Sequence, residues 1–241
     1  MSVPHGDLYD LGDVYDAMFS WDPRDEALFL VEVFRRFAGS VRRVLDVGCG
    51  TGRVARALAS MGLEVLCLDI SHRMLSRCRG AAGVEPLCSD AAAPALRTGV
   101  VDAAYSLLAT LNHLDPRALE AHIAEASRVL RRGGVYVVDL VVEEPPCLGL
   151  CDEWETSFRG EECVARHIVE EVRSGRMVEV LELVCGGYVV ARSRAELYLY
   201  PAQFVVETAK RMGFEKTLFL KPFTLELESR PSGRVFAVLL R

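Results

Sequence analysis

The run Val44-Leu45-Asp46-Val47-Gly48-Cys49-Gly50-Thr51-Gly52-Arg53 constrains this chain more than any other stretch. A short apolar strand ends in an acid, breaks into alternating glycines and resumes as an amphipathic helix. The glycines remove β-carbons that would hold a ligand off the backbone, and they permit positive φ in the turn. A helix opening near Thr51 aims unpaired N–H groups over the loop. The pattern predicts a nucleotide-like ligand at the carboxyl end of a parallel strand, where open α/β sheets bind ligands.

The spacing separates two kinds of nucleotide. A dinucleotide fingerprint places its third glycine where this chain has Arg53; the glycine falls one residue early, at Gly52. Asp46, two residues before the first glycine, repels phosphates but suits a ligand carrying an ammonium group and a positive charge. The run closely resembles motif I of the class I S-adenosylmethionine-dependent methyltransferases. Further landmarks follow in that family's order. Glu64–Asp69 reads as a second strand ending in an acid, and in the family such an acid binds both ribose hydroxyls. Val84–Ala91 reads as a third strand with Asp90 where the family meets the adenine amino group. Val100–Ser106 reads as strand four, and Val129–Val138 resembles the family's turn into strand five, with Arg132 where proline is commonest.

The resemblance covers residues 40–140 and implies S-adenosylmethionine as cofactor, with S-adenosylhomocysteine as product. It implies a cofactor site of Asp46, Gly48, Cys49, Gly50, Gly52, Asp69, Ile70, Asp90, Ala91 and Leu107, with Tyr9 and Asn112 beside them. A tyrosine on an N-terminal covering helix, Tyr9 or Tyr15, is expected to face the methionine end. His113, in the loop after strand four, resembles a histidine of small-molecule N-methyltransferases and is the candidate base, with Tyr15 as a second catalytic candidate.

The fold expected is α/β: a seven-stranded, mostly parallel sheet with helices on both faces and a reversed last strand. At 241 residues one such domain is ordinary. Residues 1–38 read as N-terminal covering helices. Asp22 is the expected cap, Pro23 the first helical position, and Leu28, Val31, Phe34 and Phe37 the buried stripe. Asp115-Pro116 marks another helix start. Within a segment from 145 to 200, residues 153–199 alternate with a period near two, with turns at Arg159-Gly160, Ser174-Gly175 and Gly186-Gly187. That predicts an inserted antiparallel β meander, serving as a lid or as a homodimer surface.

Composition narrows the partners. The formal charge of −6 argues against a nucleic-acid polyanion. An acidic N-terminus and the lack of a spanning apolar stretch point to a cytoplasmic protein without a membrane segment. The eight cysteines are scattered singly, so reduced thiols and no metal site are expected. Asn112 is the sole asparagine and Gln203 the sole glutamine, a depletion that fits a thermophilic source and admits a disulfide at Cys147 or Cys151. The leading reading is transfer of a methyl group by in-line displacement to nitrogen or oxygen of a small molecule. An RNA or protein substrate stays open, as does a subunit that binds the cofactor without catalysis. A nicotinamide oxidoreductase lacks the third glycine and any Tyr-x-x-x-Lys pair.

Overall fold

The computed structural model describes residues 11–145 and 147–241. Seven strands form one sheet in the order β10-β11-β5-β4-β1-β2-β3. These are β1 (Arg43–Val47), β2 (Glu64–Asp69), β3 (Val84–Cys88), β4 (Val101–Ser106), β5 (Leu130–Val142), β10 (Lys216–Leu220) and β11 (Gly233–Leu240). β11 runs antiparallel to both β5 and β10, while β1 to β5 pair in parallel, so the reversed last strand is present. The central strands are buried on both faces and read as continuous apolar runs, because helices cover the sheet from either side. One layer is packed by α2 (Arg24–Phe37), α3 (Arg53–Ser60) and the short α4 (His72–Leu75), the other by α5 (Pro116–Val129) and α6 (Ala202–Arg211).

Local chemistry sets the helix ends. Asp115 accepts a hydrogen bond from the Ala118 amide at 2.8 Å and Pro116 follows in the first turn, as the sequence predicts. In α2 the start moves by one residue: Pro23 is the cap and Asp22 Oδ1 accepts from the Arg24 amide at 3.0 Å. The buried stripe moves too. Ala27, Leu30, Val33 and Phe34 face the core and Leu28 is exposed. A 3.6-residue period fits either register, and packing on α3 selects this one.

The segment after β5 forms a second sheet of four antiparallel strands: β6 (Gly149–Phe158), β7 (Glu161–Arg173), β8 (Arg176–Cys185) and β9 (Tyr188–Tyr198). Its three turns fall at the predicted dipeptides. Both residues of each have positive φ, from 50° at Ser174 to 83° at Gly160, as two-residue hairpins matching strand twist require. Cys163 and Cys185 stand directly opposite in the β7–β8 register and are disulfide-bonded, as are Cys147 and Cys151. The expectation of reduced thiols therefore holds only for Cys49, Cys67, Cys78 and Cys88. Cross-strand pairing depends on register between segments 22 residues apart, which spacing alone does not give.

The short helix α1 (Gly12–Met18) joins the two sheets. Trp154 Nε1 on β6 donates to Met18 O at 2.6 Å, and Thr156 Oγ1 donates to Ala17 O. On its other side Asp16 accepts from Thr51 Oγ1 at 2.5 Å and pairs with Arg77 at 2.7 Å. α1 is thereby pinned across the glycine loop and against the second sheet at once.

Candidate active site

A cavity of about 1150 Å³ opens at the carboxyl ends of β1, β2 and β4, between the two sheets. At one end it is lined by Gly48, Gly50, Asp69, Ile70, Asp90 and Ala91, and Tyr15 covers the loop. At the other end stand His113, Trp154, His167, Met177, Glu179 and Arg234. Sequence reasoning places the first group and His113 together, and so does the fold.

Gly48, Gly50 and Gly52 all hold positive φ, between 55° and 74°. A β-carbon on Gly48 would lie 2.3 Å from Thr110 Cγ2, and one on Gly52 would lie 2.6 Å from Cys78 Sγ. These two glycines therefore serve close packing. At Gly50 the nearest atom would be Tyr15 Cζ at 3.6 Å, so Gly50 is the open floor.

The loop amides correct one expectation. The Gly48 and Cys49 amides donate to Leu68 O at 2.8 and 3.1 Å, and that of Gly52 donates to Cys49 O at 2.9 Å. The Gly50 amide donates to Asp69 Oδ2 at 2.8 Å. These four donors are spent inside the protein, which leaves no nest of them for a pyrophosphate. What the cradle presents instead is acceptors and apolar surface. Asp69 Oδ1 also accepts from the Ser71 amide at 2.8 Å, and burial raises this carboxyl above its ordinary range. A carboxylate has about four lone-pair sites, so both oxygens retain capacity for a diol. Ile70 is exposed toward the cavity as an apolar wall. Asp90 accepts from the Ala92 amide at 2.8 Å, which fixes its loop. Carboxylates at both ends of an apolar slot suit a nucleoside carrying hydroxyls, an amine and positive charge. The residues present fit S-adenosylmethionine.

Five predicted cofactor residues lie elsewhere. Asp46 is buried beneath the loop and accepts from Tyr105 OH at 2.7 Å, so its carboxylate does not line the cavity. Burial pushes its pKa well above the ordinary 3.8. The native state then binds this proton more tightly than the unfolded chain. That contribution is full below 3.8 and is lost as pH rises through the folded value. Asp46→Asn is expected to flatten this decline in denaturation midpoint against pH, and an unchanged slope would refute the assignment.

Cys49 turns its sulfur under the loop to within 4.8 Å of those of Cys67 and Cys78, in apolar surroundings with Val54, Ala55 and Leu75. Gly52 is the packing glycine already described, and Leu107 packs into the core below β4. Asn112 is fully buried: Nδ2 donates to Val141 O at 2.8 Å and Tyr198 O at 2.6 Å, and Oδ1 accepts from the Val141 amide at 3.1 Å. Its amide is fully occupied by backbone, which corrects its reading as a cofactor contact. Tyr9 lies outside the described residues.

Three features escape the sequence. Asp139, wholly buried on β5, holds Arg234 of β11 through two contacts at 3.0 and 2.7 Å and accepts from the Leu108 amide at 2.9 Å. That amide opens a strained turn, with Leu108 and Ala109 at φ 53° and 52°, which delivers His113 to the cavity. His122 of α5 is buried. Its Nδ1 meets Ala91 O at 3.0 Å and its Nε2 meets Tyr136 OH at 2.7 Å. A carbonyl only accepts, so Nδ1 carries the proton, and burial lowers the His122 pKa toward that neutral form. His122 thus pins the Ala91 end of the slot. The third is the pairing of His167 with Glu179, whose Nε2 and Oε1 approach to 2.9 Å outside hydrogen-bonding angles.

The strand order with its reversed edge strand, and a cofactor slot of this make, define a class I methyltransferase fold. Residues 44–134 match the family described as methyltransferase domain. Residues 44–134 thus carry a methyltransferase domain, and the chain shares its fold with S-adenosylmethionine-dependent methyltransferases. A 24-methylenesterol C-methyltransferase of Arabidopsis thaliana is 30% identical over 184 residues, 72% of this chain and 42% of that protein. A malonyl-[acyl-carrier protein] O-methyltransferase of Enterobacter lignolyticus is 37% identical over 102 residues, 42% of this chain and 38% of that one. The chain thus spans about two fifths of the length of these curated relatives. Among solved structures, an amino pentose methyltransferase of Micromonospora echinaspora shares the fold at TM-score 0.76 and 22% identity, covering 95% of this chain and 96% of that one. An S-adenosylmethionine-dependent methyltransferase of Clostridium acetobutylicum does so at 0.74 and 17%, covering 94% and 96%.

Proposed function

We propose that this protein moves a methyl group from S-adenosylmethionine to a nitrogen or oxygen of a small molecule. One observation carries the reading: a single cavity joins the acceptor-rich nucleoside slot to a second chamber walled by the inserted sheet. The cofactor supplies an electrophilic methyl on sulfonium sulfur, and the chain's residues supply alignment and a dry path. Gly50 and Asp69 hold the nucleoside end, with Ile70 and Asp90 flanking it. Tyr15 closes over the loop, and burial raises its phenol pKa, so it stays neutral beside a cationic sulfur. His113 lines the second chamber from the turn after β4 and is read as a group that contacts the incoming nucleophile. Positioning of this kind supplies on the order of 7–11 kcal/mol of a displacement barrier.

A small acceptor is favoured because the outward face of the inserted sheet is laced with Arg–Glu pairs such as Arg192–Glu170 and Arg194–Glu170. Such a face is suited to water more than to an RNA. The inserted segment, residues 145–200, is read as the acceptor-side wall, with its β6 edge offered to a second copy. Those ion pairs and the two disulfides support the thermophilic reading. Among the described residues no helix is long and apolar enough to cross a membrane, and a cytoplasmic location is proposed on charge and composition.

Calorimetry tests the cofactor assignment. S-adenosylhomocysteine is expected to bind one per chain and NADH not at all. Asp69→Ala should weaken that binding by about 100-fold, the loss of charge-assisted bonds to a diol. Heat from NADH, or none from S-adenosylhomocysteine, would reject the function.

A further inference from the structure

We propose that Glu179 and His167 form the acceptor end of this site, a carboxylate that binds a protonated amine and an imidazole that takes its proton. The proposal rests on the methyltransferase reading above and commits it to primary or secondary amines. β7 and β8 bring the pair together across the sheet: His167 stands opposite Leu181 on β8, and Glu179 opposite Val169 on β7. His167, Glu179 and Leu181 line the cavity with Met177 and Trp154. Both polar side chains are largely enclosed, at 20% and 18% exposure, beside the apolar Trp154, Met177 and Leu181. A carboxylate in such a place costs free energy unless something pairs with it. His167 Nε2 faces it at 2.9 Å without a well-aligned bond, so Glu179 keeps capacity for another donor.

The surrounding charges choose the ligand. Asp152 of β6 stands opposite His167 in the register and also lines the cavity. Arg234 of β11 reaches the same chamber, but its guanidinium is engaged by Asp139 of β5 through two contacts. His113 faces in from the turn after β4. Two carboxylates against one neutralised arginine make this chamber favourable to a cation and hostile to a carboxylate or phosphate. An amine arrives protonated and has no lone pair to attack with, so a base must act first. With a proton on Nε2 toward Glu179, the Nδ1 lone pair of His167 is the acceptor. One N–H proton passes from the ammonium to Nδ1. The freed nitrogen then forms the N–C bond to the methyl carbon as the C–S bond breaks and its electron pair stays on sulfur. The imidazolium returns its proton to water.

The test uses the full chain and a methyl-labelled donor, with amino sugars, alkylamines and anilines each paired with the matching alcohol or phenol. The expected product is the methylated amine. Glu179→Gln should raise KM for that amine at least 10-fold with kcat within about 3-fold. His167→Gln should lower kcat by about 100-fold or more and remove the acidic limb of the kcat–pH profile. Both variants should bind S-adenosylhomocysteine as the parent does, which also certifies their folding. Methylation of the alcohols or phenols in place of the amines overturns the proposal. So does a panel in which no amine reacts, or amine kinetics unmoved by both substitutions. If the parent protein fails to bind S-adenosylhomocysteine, the methyltransferase reading itself falls, a result separate from these.

Discussion

Asp139→Ala should lower the melting temperature by about 6–12 °C. Breaking a buried ion pair from one side costs about 3–5 kcal/mol, and in a chain of this size each kcal/mol is about 2–4 °C. The lower end applies, because Arg234 is 37% exposed and regains water when its partner is lost. Arg234→Met should cost more, about 5 kcal/mol, since Asp139 has 0% exposure and cannot be rehydrated. Combining Asp139→Leu with Arg234→Met should recover part of the loss, as apolar pairs replacing buried ions often do. The site feels the same change. Asp139 anchors the Leu108 amide at the start of the left-handed turn, so Asp139→Ala releases the segment carrying His113. Methyl transfer should fall further than S-adenosylhomocysteine affinity, because Gly50 and Asp69 lie at the other end of the cavity. Thermal melts and calorimetry on the three variants check both parts. Single variants melting within about 2 °C of the parent would show the pair to be ornamental.

The division between what could be read in the chain and what could not follows the range of the forces involved. Turns at Arg159-Gly160, Ser174-Gly175 and Gly186-Gly187 are settled within two residues by backbone sterics, and they are found where predicted. Asp115-Pro116 caps its helix by the same local logic. The alternation of strands and helices from 41 to 142 fixes a parallel sheet, and the turn after β1 marks the end of that sheet at which the cavity opens. Register is another matter. Whether Leu28 or Ala27 faces the core depends on what α2 packs against, and the periodicity serves either.

The acceptor chamber was hidden for the same reason. Asp139 and Arg234 are 95 residues apart and meet only because β11 returns antiparallel beside β5. His167 and Glu179 meet only through the β7–β8 register, and His167 in sequence resembles any histidine of a meander. The nucleoside end is local, built from loops that each follow one strand. The acceptor end is assembled from β5, β6, β7, β8 and β11 together, and no window of the sequence contains it. One signal was available: an ionisable residue at an inward position of an alternating strand, as His167 and Glu179 are, is costly and calls for a function.

Asn112→Ala should be the most damaging single change among the residues first read as ligand contacts, because Asn112 holds backbone instead. The substitution leaves the Val141 amide, Val141 O and Tyr198 O without this partner, each buried group costing about 1–3 kcal/mol when orphaned. A loss of about 3–9 kcal/mol follows, or a melting temperature lower by about 6 °C or more. Asn112→Asp should be worse than Ala, since it sets a carboxylate against two carbonyl oxygens in a buried site. Val141 belongs to β5 of the main sheet and Tyr198 to β9 of the inserted one, so this side chain stitches the two sheets beside the cavity. Loosening it should raise amide exchange in β9 well before β1 is affected, and turnover should drop while the nucleoside slot keeps its ligand. Equal exchange rates in parent and Asn112→Ala at β9, or a melt within about 1 °C, would mean that α1 and the apolar packing of Val141 on Val169, Met177 and Leu197 hold the inserted sheet without this side chain.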